Sequence, residues 1–167
     1  MTSRALWFCL LALAPAATMA LQDDADKPIH ITGNTAQIDQ GRQTLVYKGD
    51  VRIDQGTLRV VADEMTVEYE NERVVKIVAR GQPARYQQQL AENQGHVHAN
   101  AAIIVYHTQI EALDLQGGAR LLQHGSELTG EHIRYDIVAG KVDAEASHKG
   151  PVRMILQPAR QSARQAR

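Results

Sequence analysis

Apolar and polar residues alternate with a period of two along most of this chain. Leu45, Tyr47, Gly49, Val51 and Ile53 fall on one side of an extended segment, with Lys48, Asp50, Arg52 and Asp54 on the other. Leu113, Leu115, Gly117, Ala119 and Leu121 repeat the pattern against Asp114, Gln116 and Arg120. Val142, Ala144 and Ala146 repeat it against Lys141, Asp143 and Glu145. Successive side chains of a strand point to opposite faces, so this pattern predicts half-buried β-strands. No segment carries the spacing of an amphipathic helix of useful length.

The alternation changes phase at particular places. Leu58, Val60 and Ala62 are even-numbered, whereas Met65, Val67 and Tyr69 are odd. Leu128 gives way to Ile133, Tyr135 and Ile137, and Ile29 and Ile31 give way to Ile38. An inward set that changes parity requires an extra residue, which predicts a β-bulge or corner at each change. The changes fall on a recurring motif, a Gly or Ala followed by a small polar or acidic residue: Gly33-Asn34, Ala62-Asp63, Ala99-Asn100 and Gly130-Glu131. The strands that follow carry Gly49-Asp50-Val51-Arg52, Gly81-Gln82-Pro83-Ala84-Arg85, Gly117-Gly118-Ala119-Arg120 and Gly150-Pro151-Val152-Arg153. A recurrence of roughly 30–40 residues marks one supersecondary unit stacked on copies of itself.

Turn signals separate the strands at Asp39-Gln40-Gly41-Arg42, Asp54-Gln55-Gly56, Glu70-Asn71-Glu72, His124-Gly125-Ser126 and Ala139-Gly140, and the polar stretch 87–95 is expected to be the longest loop. The expected class is all-β: facing antiparallel sheets built from four repeats, with strands passing from one sheet to the other at the corners. Sequential repeats stack without closing, so the first strand (29–32) and the last (152–156) should have free edges. Ile29, His30 and Ile31 at one end, and Val152, Met154 and Leu156 at the other, are candidates for edge contacts joining copies head to tail.

Residues 1–20 stand apart from this pattern. Arg4 is the only charge before Asp23, residues 5–17 are apolar, and Thr18-Met19-Ala20 places small residues where a signal peptidase cleaves. This is the pattern of a secretory signal peptide, and it removes Cys9, Trp7 and Phe8. About 147 residues then remain, enough for one domain. Residues 21–26 are expected to be a flexible lead-in, 27–157 the domain and 158–167 a disordered basic tail. An exported chain without disulfides is held by its core and ladders alone, which fits a bacterial periplasm. The formal net charge of −1 gives no sign of nucleic-acid binding.

Catalytic chemistry has no evident seat. The sequence lacks a phosphate-binding glycine loop, a Gly-x-Ser-x-Gly motif and, once the leader is gone, any thiol. His96 and His98 would project from one strand face, but a metal needs a third ligand in register. Asp63 and Glu64, as neighbours on a strand, point to opposite faces and cannot flank one bond. No enzyme activity, metal or cofactor is expected. What remains is the interior. If the sheets pack tightly, Ile31, Tyr47, Val51, Ile53 and Leu115 are core; if they splay, the same residues line an apolar trough suited to acyl chains.

Five stretches in order resemble the OstA-like family, that of periplasmic lipopolysaccharide transport protein A. They are Lys27-Pro28-Ile29-His30-Ile31, Gly49-Asp50-Val51-Arg52-Ile53-Asp54-Gln55-Gly56-Thr57-Leu58, Val61-Ala62-Asp63, Gly81-Gln82-Pro83-Ala84 and Leu113-Asp114-Leu115-Gln116-Gly117. The resemblance implies a slightly twisted β-jelly roll, open at both ends, that bridges the periplasm. Copies would stack end to end between the inner-membrane component C and the outer-membrane component D of one machine, holding the acyl chains of lipopolysaccharide inside. It also implies that Ile29, Tyr86 and Tyr106 face the lipid. Position 86 departs from the family pattern in carrying Tyr instead of Phe. Two other readings remain beside it: a structural or adhesive β-filament with a dry core, and a carbohydrate-active enzyme on a jelly-roll scaffold, against which the lack of paired inward carboxylates argues.

Overall fold

The computed structural model describes residue 24 and residues 27–90, 95–148 and 150–157; the expected leader and basic tail lie outside these. The strands are β1 (His30–Thr32), β2 (Thr35–Asp39), β3 (Thr44–Gln55), β4 (Leu58–Glu70), β5 (Arg73–Gln89), β6 (His96–His107), β7 (Ala112–Gln123), β8 (Ser126–Asp136), β9 (Lys141–Glu145) and β10 (Arg153–Ile155). They form one sheet in the order β1-β3-β4-β5-β6-β7-β8-β10, with β2 also on β3 and β9 also on β8. Every pairing is antiparallel. Each edge is two short strands laid along one long one: β1 and β2 follow opposite ends of β3, and β10 and β9 follow opposite ends of β8.

The register breaks explain how one sheet yields two layers. Pairing is interrupted between Lys48 and Val51, between Val61 and Glu64, between Arg80 and Ala84, between Asn100 and Ile103, and between Gln116 and Ala119. These positions lie side by side and form a seam across the sheet. Gly49 and Asp50 oppose the single residue Asp63, and Gly117 and Gly118 oppose the single residue Glu131. The paired residues take left-handed φ of 76° and 48°, and of 81° and 60°. Glycine bears that conformation without strain. At Gly117 it is also required by space, because a Cβ would come within 2.9 Å of the Ala102 methyl carbon.

The opening motif of one strand and the closing glycine of its neighbour therefore meet at the seam, where the parity changes place a corner. The inward set passes from Ala62 to Met65 on β4, from Ala79 to Ala84 on β5 and from Ala101 to Ile104 on β6, all buried. The facing layers are thus the two halves of one folded sheet, an open all-β jelly roll. Between them lies a single core whose buried members are all hydrophobic among the described residues.

Two sequence expectations differ from the structure. Ile38, grouped with the inward residues, is 62% exposed, because it sits on the short edge strand β2, which among the described residues pairs only with β3 and packs little against the core. The stretch 87–95 was expected as a loop, yet β5 runs through Gln89. Tyr86, Gln88 and Leu90 take inward positions while Gln87 and Gln89 are exposed. The alternation continues, but a glutamine at an inward position conceals it.

Candidate functional site

On the β1 side, the layers leave a cavity of ≈ 810 Å³ between them, within the roughly 300–1,000 Å³ usual for ligand sites. Its apolar wall includes Ile29, Ile31, Leu45, Leu58, Val74 and Tyr106. Its polar wall comes from strand ends and turns, with Asp24, Lys27, Gln55 and Gln88 from one layer's rim and Glu72, Arg73, Thr108 and Glu111 from the other's. Apolar residues at depth and polar residues at the lips make an amphipathic hollow.

Behind the cavity the packing closes. Tyr86 on β5 and Tyr106 on β6 belong to opposite halves of the seam and meet edge to face, with centroids 5.7 Å apart and planes at 64°. The Tyr86 hydroxyl donates to Gln88 Oε1, which gives a buried phenol its partner. Burial, then the neighbouring Tyr106, push the Tyr86 phenol well above its ordinary value, so it stays neutral at any physiological pH. Gln88 Nε2 in turn donates to Asp24 Oδ2 at 3.2 Å. Asp24 also receives the Thr57 amide at 2.9 Å and the Thr57 hydroxyl at 2.5 Å, so residue 24, in the stretch expected to be flexible, is tied to the β3–β4 turn.

The inward candidates divide between these two regions. Ile29, Ile31 and Tyr106 border the cavity. Tyr47 is half-buried and packs against the core. Val51, Ile53, Tyr86 and Leu115 lie within the core at 2% exposure or less. The edge candidates also differ in setting. Ile31 is half-buried, whereas His30, Val152, Met154 and Leu156 are exposed. Ile155, not singled out in the sequence, is half exposed beside them. Sequence reasoning also missed Asp24 and Gln88, whose roles come from contacts between segments far apart in the chain.

The remaining candidate chemistry stays on the outer faces. The rings of His96 and His98 stack 6.3 Å apart on exposed positions. Among the described residues no group of His, Cys, Asp and Glu could hold a metal ion. Glu64 forms a 3.0 Å cross-strand ion pair with Lys48, while its neighbour Asp63 lies at the seam. Among the described residues no helix is long and apolar enough to cross a membrane.

The unclosed sheet, the seam and the amphipathic hollow define an open β-jelly roll with an interior accessible to an apolar guest. The chain belongs to the family described as LptA/(LptD N-terminal domain) LPS transport protein, whose model matches residues 30–141. It is 27% identical to the lipopolysaccharide export system protein LptH of Pseudomonas aeruginosa over 88% of this chain and 89% of the relative. It is 28% identical to the lipopolysaccharide export system protein LptA of Haemophilus influenzae over 94% of this chain and 92% of the relative. The crystal structure of Pseudomonas aeruginosa LptH, the LptA-homologous periplasmic component of the conserved lipopolysaccharide transport device, superposes with a TM-score of 0.72. That match has 25% identity and covers 81% of this chain and 99% of LptH.

Proposed function

We propose that this protein is a periplasmic carrier of lipopolysaccharide that shields the lipid's acyl chains between its two layers. The observation that carries the reading is the hollow itself, with Ile29, Ile31, Leu45, Leu58, Val74 and Tyr106 against polar lips. Each buried methylene is worth about 0.8 kcal/mol, so long acyl chains cannot cross an aqueous compartment uncovered. A surface that is apolar within and polar at its rim fits an amphiphile whose chains go in and whose head group stays in water. No catalytic step is assigned to the protein.

The same reading covers the ends of the sheet. Among the described residues no strand pairs with the outer sides of β1 and β10. Val152, Met154, Ile155 and Leu156 are exposed beside that free ladder. Unpaired backbone flanked by apolar side chains favours strand addition. We assign to these edges head-to-tail contacts between copies, and contacts with components C and D of the transport machine at the two ends of the array. Export by a cleaved leader, residues 1–20, places the protein in the periplasm.

A dry-core filament is the competing reading, and the dense packing of Leu113, Leu115, Ile133 and Tyr135 favours it locally. Carriage along the whole molecule requires the layers to part there. Purified protein incubated with lipopolysaccharide should co-purify with it, and Tyr106→Asp, which puts a charge on the apolar wall, should reduce retention several-fold. Failure of the wild type to retain lipid selects the filament.

A further inference from the structure

Three donors converge on one carboxylate at the cavity's lip. The Thr57 amide, the Thr57 hydroxyl and Gln88 Nε2 all point at Asp24. The donors belong to the folded sheet and are fixed from behind. Gln89 N–H donates to the Thr57 hydroxyl at 3.1 Å, whose own proton has Asp24 Oδ2 at 2.5 Å as its nearer acceptor and the Gln89 carbonyl at 3.3 Å as its farther one, and Gln88 is held through its other amide atom by Tyr86. The turn is also shaped to admit an oxyanion. Gly56 has φ of 58°, and a Cβ there would stand 2.1 Å from Asp24 Oδ1. Its missing side chain is the space in which the carboxylate sits. Lys27 and Arg73 line the same hollow, with Glu72 and Glu111 as the opposing charges.

We propose that Gly56, Thr57 and Gln88 form an anion site for a phosphate group, occupied in this state by the chain's own Asp24. This inference extends the carrier reading by giving the head group of the lipid a place at the lip. A phosphate brings more acceptor oxygens and more charge than a carboxylate, so it competes for the same donors. Asp24 then acts as an internal stand-in that satisfies these groups while the carrier is empty and yields when a phosphorylated amphiphile arrives. Free phosphate shares the chemistry, and the test separates the two sources.

The test uses the full mature chain, as wild type and as Asp24→Ala, with Thr57→Val and Thr57→Ser in the Asp24→Ala background. Calorimetric affinities are measured for lipid A carrying its phosphates and for lipid A stripped of them. Titration with inorganic phosphate is followed by NMR at the Thr57 and Gln88 amides. Asp24→Ala should tighten binding of the phosphorylated lipid about tenfold and leave the stripped lipid unchanged. Thr57→Val should erase the gain and Thr57→Ser restore it. If inorganic phosphate shifts both amides and the two lipids bind alike, the site exists and its ligand is the free ion. No preference between lipids together with no shift by inorganic phosphate overturns the site, even if both lipids bind and the carrier reading stands. Failure of the wild type to bind either lipid overturns the carrier reading, and the phosphate titration then judges the anion site alone.

Discussion

Tyr86 and Tyr106 touch across the fold, the edge of one ring on the face of the other at 5.7 Å, yet only Tyr106 borders the hollow. The pair marks where empty space ends and close packing begins. Substitution should register the difference. Tyr86→Ala empties a filled site and should cost about 3–5 kcal/mol, whereas Tyr106→Ala widens an existing void and should cost about 2 kcal/mol. Urea denaturation of the two variants measures both values. Equal losses would show that the hollow is filled or collapsed in solution.

Two adjacent glycines at the seam should respond unequally. Both Gly117 and Gly118 have left-handed φ, which costs an alanine about 1 kcal/mol or somewhat more. Only Gly117 also faces an obstacle, the Ala102 methyl, while Gly118 has open space. Gly117→Ala should therefore destabilise the fold more than Gly118→Ala, by about a further 1 kcal/mol from overpacking, and show the lower melting temperature of the two.

Removing residues from Val152 onward strips β10 and its exposed apolar side chains from the edge. The truncated chain should fold, because the central strands β3 to β8 and their core are intact. Concentration-dependent growth in light scattering should be suppressed. Unchanged growth with circular dichroism like that of the full chain would place self-association elsewhere.

Acid should weaken the fold through outer-face carboxylates. A hydrogen bond from Arg52, with Arg59 as a second donor, holds the Asp54 carboxyl below its ordinary 3.8. A folded pKa below the unfolded one means the stabilisation is present above about pH 4 and is lost as pH falls through the folded value. Arg120 lowers Glu127 in the same direction. Asp54 is solvent-accessible, so its share is below about 1 kcal/mol. Asp54→Asn should flatten the acid limb of a stability–pH curve slightly and leave its alkaline limb unchanged. An unaltered acid limb would show that Arg52 and Arg59 do not hold the carboxylate in solution.

The strands and the corner were legible because both are written in parity. Ala62 and Met65 differ in phase, and that difference alone demands an inserted residue between them. Which strand supplies the extra residue was not legible. Gly49 and Asp50 do so opposite Asp63, a matter of pairing between segments that local alternation does not record. The strand through Gln89 was hidden by Gln88, a polar residue at an inward position whose amide is satisfied by Tyr86 and Asp24. Asp24 had no periodic signal at all. The boundary between hollow and packed interior was equally invisible, since Ile31 and Ile53 read alike in sequence, yet only Ile31 borders the cavity.

The void beside β1 and the closely packed interior beside β9 make the two ends of the sheet unlike. Any row assembled by joining first edge to last inherits a compass, since every vacancy then abuts a neighbour's filled flank. Cargo advancing along such a row would meet the same sequence of vestibule and barrier at each unit, and a unit inserted backwards would interrupt that order.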